Sequence, residues 1–298
     1  MSRIHDALKR AEQDRATSMG GHLEPIAEQP EPQPVTLPPL VHSATTVMPG
    51  PSSGLTYEAL LAHCRQTNWS PDTRTMLFFQ DDESRFGAEE FRTLRSRLYQ
   101  IREKLPLKRL MVTSALPKEG KSFVAANLAQ VIVRQHGRRA LVIDADLRSP
   151  GMHRHLGTEQ TPGLSDYLLG ECDEFAVLQR GPMENLFFLP AGRVVSGASE
   201  LLANGRLKLF LQRIEPLFDW IILDTPPVIP VSDSTLMANF CDGVVMVVRS
   251  NVTPSDLARR AREEFQDKLL LGVVLNGTPS GQLSQSKYYY GEAQKSHA

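Results

Sequence analysis

The stretch RLMVTSALPKEGKSFVAANLAQ, residues 109–130, decides the reading of the chain. An apolar run, Leu110-Met111-Val112, leads into a turn, and Gly120-Lys121-Ser122 then opens a helical pattern. Strand, turn and helix in that order are the context in which a Gly-Lys-Ser tripeptide cradles phosphate. The candidate nucleotide loop comprises Ala115, Leu116, Pro117, Lys118, Glu119, Gly120, Lys121, Ser122 and Phe123. Backbone N–H groups of such a loop and of the first helical turn face phosphate oxygens, aided by the helix dipole. Gly120 lets the chain approach without a Cβ, Lys121 brings a positive charge to the β- and γ-phosphates, and the Ser122 hydroxyl is a candidate Mg2+ ligand. The match departs from GxxxxGK[ST] at its first position, where Ala115 replaces glycine.

Working outward, ALVIDAD and DWIILDTPP are further short apolar runs, and NLFFLPAG, DGVVMVVRS and LLGVVLNG continue the pattern. Runs apolar on both faces suggest strands buried on both sides, and their alternation with helical patterns makes the sheet parallel. The fold class expected is therefore α/β, a three-layer sandwich around a mostly parallel sheet. Two of the runs deliver aspartates at their C-terminal ends: Asp144 and Asp146, then Asp224. A single aspartate there reads as a turn residue. In an open parallel sheet, however, ligands bind at the carboxyl edge, so all three converge on the crevice of Lys121 and Ser122. Hard oxygen ligands around phosphate-bound Mg2+ suit phosphoryl transfer.

The chain has 298 residues and a net charge of −1, which argues against whole-protein attraction to nucleic acid or anionic lipid. Its three cysteines, Cys64, Cys172 and Cys241, are widely spaced and read as reduced thiols of a cytoplasmic protein. No apolar run reaches 18 residues, so no membrane span is expected, and MSRIHDALKR lacks the apolar core of a secretory leader. Residues 1–18 read as an amphipathic helix with Ile4, Leu8 and Ala11 on one face, either solvated or docked on a partner. Residues 19–75 read as a Pro-rich, disordered linker, since eight of the 21 prolines lie between Pro25 and Pro51. A short helix is expected within it near 55–66. The α/β domain is expected over 76–280, and 281–298 form a polar tail carrying Tyr288, Tyr289 and Tyr290, where aromatic rings gain nothing from burial.

SALPKEGKS (114–122), LVIDADLR (141–148) and IILDTPP (221–227) resemble the Walker A, A′ and B boxes of bacterial tyrosine kinases, the cytoplasmic autokinases of capsule and exopolysaccharide export. GLSDYLLG, LPAG, SELLAN, VVRSNVT and GVVLNG fit the same pattern, as does EEFRTLRSRL before the first core strand. The resemblance implies ATP and Mg2+ as cofactors, with Lys121 and Ser122 on phosphate and metal, and Asp146 and Asp224 on the metal. It makes Asp144 the group that positions or deprotonates the attacking tyrosine hydroxyl, and Asn276 a contact to adenine, with Arg148 and Arg249 facing the nucleotide. It implies autophosphorylation of the three tail tyrosines. It implies a ring joined through Glu89, Arg92 and Arg95, a stripe that unaided reads as a solvated helix face. It also implies an activating partner, a membrane-embedded polysaccharide chain-length protein, and a location at the inner face of the membrane through that partner. Lys118 occupies a loop position that is commonly small in the family. Leu116 stands where partition ATPases carry a signature lysine. Two other functions stay open on the residues alone, a partition-type switch ATPase and a nucleotide-binding scaffold without kinase activity.

Overall fold

The computed structural model describes residues 55–79 and 87–279. The expected helix at 1–18, most of the Pro-rich arm and the tail tyrosines lie outside the described residues. Among those described, eight strands form one sheet: β1 (Arg65–Gln66), β2 (Arg109–Ser114), β3 (Ala140–Asp144), β4 (Gln179–Arg180), β5 (Leu186–Leu189), β6 (Trp220–Asp224), β7 (Gly243–Arg249) and β8 (Leu270–Asn276). Their order is β1-β4-β5-β3-β6-β2-β7-β8. Every pairing is parallel except β4 with β5. The helices are α1 (Tyr57–His63), α2 (Ala88–Arg102), α3 (Lys121–Val133), α4 (Met152–Leu156), α5 (Leu164–Leu169), α6 (Glu174–Val177), α7 (Ala198–Ala203), α8 (Arg206–Ile214), α9 (Asp233–Ala238) and α10 (Ser255–Glu263).

The central strands are apolar throughout because successive side chains enter two different cores. In β3, Ala140 and Val142 join the cluster that contains Val124, Leu128 and Ile132 of α3, while Leu141 and Ile143 join Phe210, Leu211 and Ile214 of α8. In β6, Trp220 and Ile222 face the first cluster and Ile221 and Leu223 the second. Trp220 is fully buried at the strand start, edge-on to Tyr99. Helix α3 shows little amphipathic contrast in sequence because it is enclosed: Val124 through Val133 are all buried.

Two polar residues of that enclosed helix hold the segment where the expected linker, 19–75, meets the expected domain, 76–280. Asn127 Oδ1 accepts from Leu77 N at 2.8 Å, and its Nδ2 donates to Thr75 O at 2.8 Å. Gln130 Oε1 accepts from Phe78 N at 3.2 Å. Residues 55–75, expected as the end of a linker, are thus built into the domain. Leu60, Trp69 and Met76 are buried in its cores, and Arg65–Gln66 pairs with β4. The helix expected near 55–66 is α1, stopped at His63 because the chain turns into β1.

Candidate nucleotide site

Sheet register sets the site. Asp144 and Asp224 are direct partners on neighbouring parallel strands, and Asp224 is also opposite Val112 of β2. Two carboxylates therefore stand side by side at the carboxyl edge, two residues before β2 ends and the loop to α3 begins. Gly120 caps α3 at φ +95°, a left-handed conformation that glycine adopts without strain. A Cβ there would also lie 2.0 Å from Asn276 Nδ2, so another residue would have to displace that amide as well as strain the backbone.

Lys121 reaches back over the aspartates. Its Nζ lies 3.0 Å from Asp146 Oδ2, 3.8 Å from Asp224 Oδ1 and 3.5 Å from Ser122 Oγ. Burial alone would depress its pKa, but the charges of Asp224 and Asp146 raise it to about 12. Asp144 is fully buried. Its Oδ2 accepts from Gly151 N and Met152 N at 3.1 Å each, and its Oδ1 from Asp146 N at 3.3 Å. Burial first and the charge of Asp224 second push its pKa up to about 7, against the opposing pull of the Met152 N–H and Lys121. Asp146 Oδ1 accepts from Ser149 N at 3.0 Å. Asp224 differs: among the described residues neither of its buried oxygens has a partner at full hydrogen-bonding geometry, with Lys121 Nζ 3.8 Å away and the Ser122 hydroxyl close by. Burial raises its pKa to about 6, offset by Lys121 and by the Ser122 hydroxyl. An orphaned buried carboxylate, beside a second carboxylate and a hydroxyl, is a donor set of the kind that holds Mg2+.

The remaining expected residues are placed as follows. Asn276, at the end of β8, donates from Nδ2 to Glu119 O at 2.8 Å, so its amide is committed to the phosphate loop. Arg249 Nη1 donates to Lys118 O at 3.2 Å. Arg148 is paired with the buried Asp233 at 2.6 Å and donates to Ser199 Oγ at 2.9 Å. Both arginines thus brace loops of the site. Ala115 is fully buried in a cluster with Met111, Val244 and Phe265, and Lys118 is exposed at φ +65°. Glu89 and Arg92 form an ion pair at 3.1 Å on α2, and Arg95 Nη1 donates to Val131 O at 2.8 Å. Asp233, Ser199 and Thr253 were not singled out from sequence. Each lies in a short motif, VSDS, SELLAN or VVRSNVT, but nothing in the residue type marks its partner.

Residues 118–254 match a family model described as an AAA domain. The tyrosine-protein kinase YwqD of Bacillus subtilis is 33% identical over 227 residues, covering 76% of this chain and 95% of that one. The succinoglycan biosynthesis transport protein ExoP of Rhizobium meliloti is 32% identical over 219 residues, 70% of this chain but 27% of that longer protein. Among solved structures, the kinase domain of the Escherichia coli tyrosine kinase ETK superposes with a TM-score of 0.64 at 29% identity, covering 66% of this chain and 78% of that one.

Proposed function

Because this chain belongs to the bacterial tyrosine-protein kinase family, we propose that it transfers the γ-phosphoryl group of ATP to the tail tyrosines Tyr288, Tyr289 and Tyr290 of a second copy, and thereby regulates polymerisation and export of a capsular or exopolysaccharide. The observation that carries this reading is the buried Asp224 with both oxygens orphaned, beside Lys121 and Ser122 at the end of a glycine-capped loop.

The residues divide the work by chemistry. Ser122, Asp146 and Asp224 would hold Mg2+, which supplies charge neutralisation at the β- and γ-phosphate oxygens. Lys121 leaves the aspartates and pairs with phosphate, exchanging one set of anionic oxygens for another. In the transfer, the γ-phosphorus–oxygen bond to ADP breaks, a bond to the tyrosine oxygen forms, and the phenolic proton leaves. Asp144 sits beside the site with a pKa near neutrality, so it positions that hydroxyl or accepts its proton. Glu89, Arg92 and Arg95 would meet the neighbouring copy, with Arg95 also anchored to the end of α3. A membrane-embedded chain-length protein would be the activator and would hold the kinase at the inner face of the membrane. No helix among the described residues is long and apolar enough to cross a membrane.

Phosphotyrosine immunodetection on purified protein with Mg-ATP tests the reading. The wild type is expected to become phosphorylated and Lys121→Met is not. A mixture of Lys121→Met with the Tyr288→Phe, Tyr289→Phe, Tyr290→Phe variant should label the Lys121→Met chain, which identifies transfer between copies. ATP hydrolysis without phosphotyrosine would make the chain a switch ATPase instead.

A further inference from the structure

Glu119 is a carboxylate inside a loop that must receive phosphate, and it is only 3% exposed. Its Oε2 accepts from the backbone N–H of Leu116 at 2.7 Å, closing the loop on itself. Its Oε1 accepts from the Thr253 hydroxyl, in the turn after β7. The Thr253 oxygen in turn accepts from Arg249 N at 3.1 Å. That N–H occupies one lone pair, and the single hydroxyl proton points to Glu119. The chain of donors thus runs in one direction, from Arg249 N–H through Thr253 O–H to the carboxylate, while Leu116 N–H closes it from the other side. Two more bonds fix the same loop from the same side: Arg249 Nη1 to Lys118 O and Asn276 Nδ2 to Glu119 O. The turn itself is anchored, since Ser250 N donates to Asn276 O at 2.8 Å.

We propose that Glu119 and Thr253 form a clasp that presets the phosphate loop before nucleotide arrives, with Glu119 a positioning residue for the β- and γ-phosphates and Thr253 its anchor outside the loop. The physical need is specific to this loop. An anion near phosphate is unfavourable unless its charge is turned away and neutralised by donors, and here both carboxylate oxygens face donors other than the helix N-terminus at Lys121. The Leu116 N–H is withdrawn from phosphate binding and used to hold the loop's curvature. A loop released from the clasp samples other conformers, and apparent affinity falls by the fraction that remains competent. A hydrogen bond to a charged group is worth one to two decades in an equilibrium constant, so loss of the clasp is expected to weaken nucleotide binding about tenfold or more. The chemistry of a bound complex, in which phosphate itself orders the loop, changes much less.

This inference rests on the loop being the nucleotide site, and direct binding separates the two questions. The measurement is fluorescence titration of the full chain with a methylanthraniloyl-ADP probe and Mg2+, joined to steady-state kinetics and nucleotide-free melting. Thr253→Val is expected to weaken probe binding about tenfold and to raise KM for ATP similarly, with kcat within about twofold. Thr253→Ser, which keeps the hydroxyl, restores both. Glu119→Ala behaves like Thr253→Val. Glu119→Gln is intermediate, since its amide oxygen still accepts from Leu116 N–H while its NH2 can only donate to Thr253. Unchanged or tighter binding in Thr253→Val and Glu119→Ala, with wild type binding normally, overturns the clasp. So does failure of Thr253→Ser to recover affinity, or a fall in melting temperature alone. Absence of binding by the wild type overturns the nucleotide-site reading, and the clasp with it.

Discussion

Replacing Lys121 with methionine is expected to steepen the pH dependence of the nucleotide-free protein's stability, because Lys121 is the cation that makes the aspartate cluster tolerable. The pKa of Asp144 is raised to about 7 and that of Asp224 to about 6, from an ordinary value of 3.8. Between about pH 4 and 7 the folded chain therefore binds more protons at these groups than the unfolded chain, and their contribution to stability falls as pH rises. Lys121 works against this loss, with Nζ 3.0 Å from Asp146 and 3.8 Å from Asp224. At an effective dielectric of about 20 those separations correspond to gross attractions of roughly 5.5 and 4.4 kcal/mol. The net cost of breaking a buried pair is smaller, about 3–5 kcal/mol. Lys121→Met should lose up to that amount at pH 8, where the wild-type carboxylates are ionised and the variant must either hold them uncompensated or take up protons. At pH 5, protonation of Asp144 and Asp224 removes most of the repulsion, and the loss should shrink, with the 3.0 Å contact to Asp146 the part that remains. With roughly 2–4 °C per kcal/mol for a domain of this size, the melting temperature falls by about 10 °C at pH 8 and by clearly less at pH 5. Thermal unfolding by circular dichroism in EDTA, wild type and variant side by side across this range, measures it. A depression that is constant with pH, or that grows toward acid, would refute the assignment of Lys121 as counter-charge to the cluster.

Three further outcomes are expected. Asp224→Asn removes a metal ligand but also a buried charge that repels Asp144. Its Mg2+ requirement for phosphorylation should rise at least about tenfold, while its nucleotide-free melting temperature at pH 8 stays level with wild type or above it; a marked fall would contradict the orphaned carboxylate. Asp144→Asn keeps one acceptor but presents an amide to the other backbone donors, so it should lose about 1–3 kcal/mol and lower turnover at saturating Mg-ATP; unchanged turnover would strike Asp144 from the catalytic group. Full tail phosphorylation adds on the order of −5 charges over three tyrosines and should shift the protein toward monomer. Sedimentation of wild type and the triple phenylalanine variant with and without ATP checks this, and identical profiles in all four samples would sink it.

The central strands were legible in sequence because a strand buried on both faces must be apolar at every position, and ALVID and WIILD have no other reading. The convergence of Asp144, Asp146 and Asp224 was legible for a related reason: parallel strands place all their C-terminal ends on one edge. The inclusion of residues 55–75 was not. Leu60 belongs to a helical run too short to announce where it docks, Trp69 stands alone in polar text, and the amides that hold the adjoining Thr75–Phe78 segment sit some 50 residues on, at Asn127 and Gln130. Asn276 was expected toward adenine, and the sequence gives no sign that its amide also meets the loop. That pairing depends on β8 lying beside β7 at the sheet edge, which no local pattern specifies. Glu119 and Thr253 were equally silent, since their meaning lies in a contact across 134 residues.

The two departures in the phosphate loop have different physical standing. Ala115, in place of the first glycine, has no exposed surface and fills an apolar cluster under the sheet end, with its carbonyl accepting from Ile229 N at 3.3 Å. Its methyl group faces the core, so a glycine there would leave a small void and bring phosphate no closer. Lys118 does carry a cost, because a non-glycine residue at φ +65° sacrifices about 1–2 kcal/mol to sterics. The bond from Arg249 to its carbonyl helps hold it there. Lys118→Gly would remove that strain and add back about 0.5–1 kcal/mol through the freer unfolded chain. The balance is a gain of roughly 0.5–1 kcal/mol, or about 2 °C in melting temperature. Among the described residues the exposed side chain has no hydrogen bond that this change would break, and the carbonyl remains for Arg249. A melting temperature lowered by more than about 2 °C would show that the left-handed turn is not strained by its lysine, and that the side chain is held by something other than solvent.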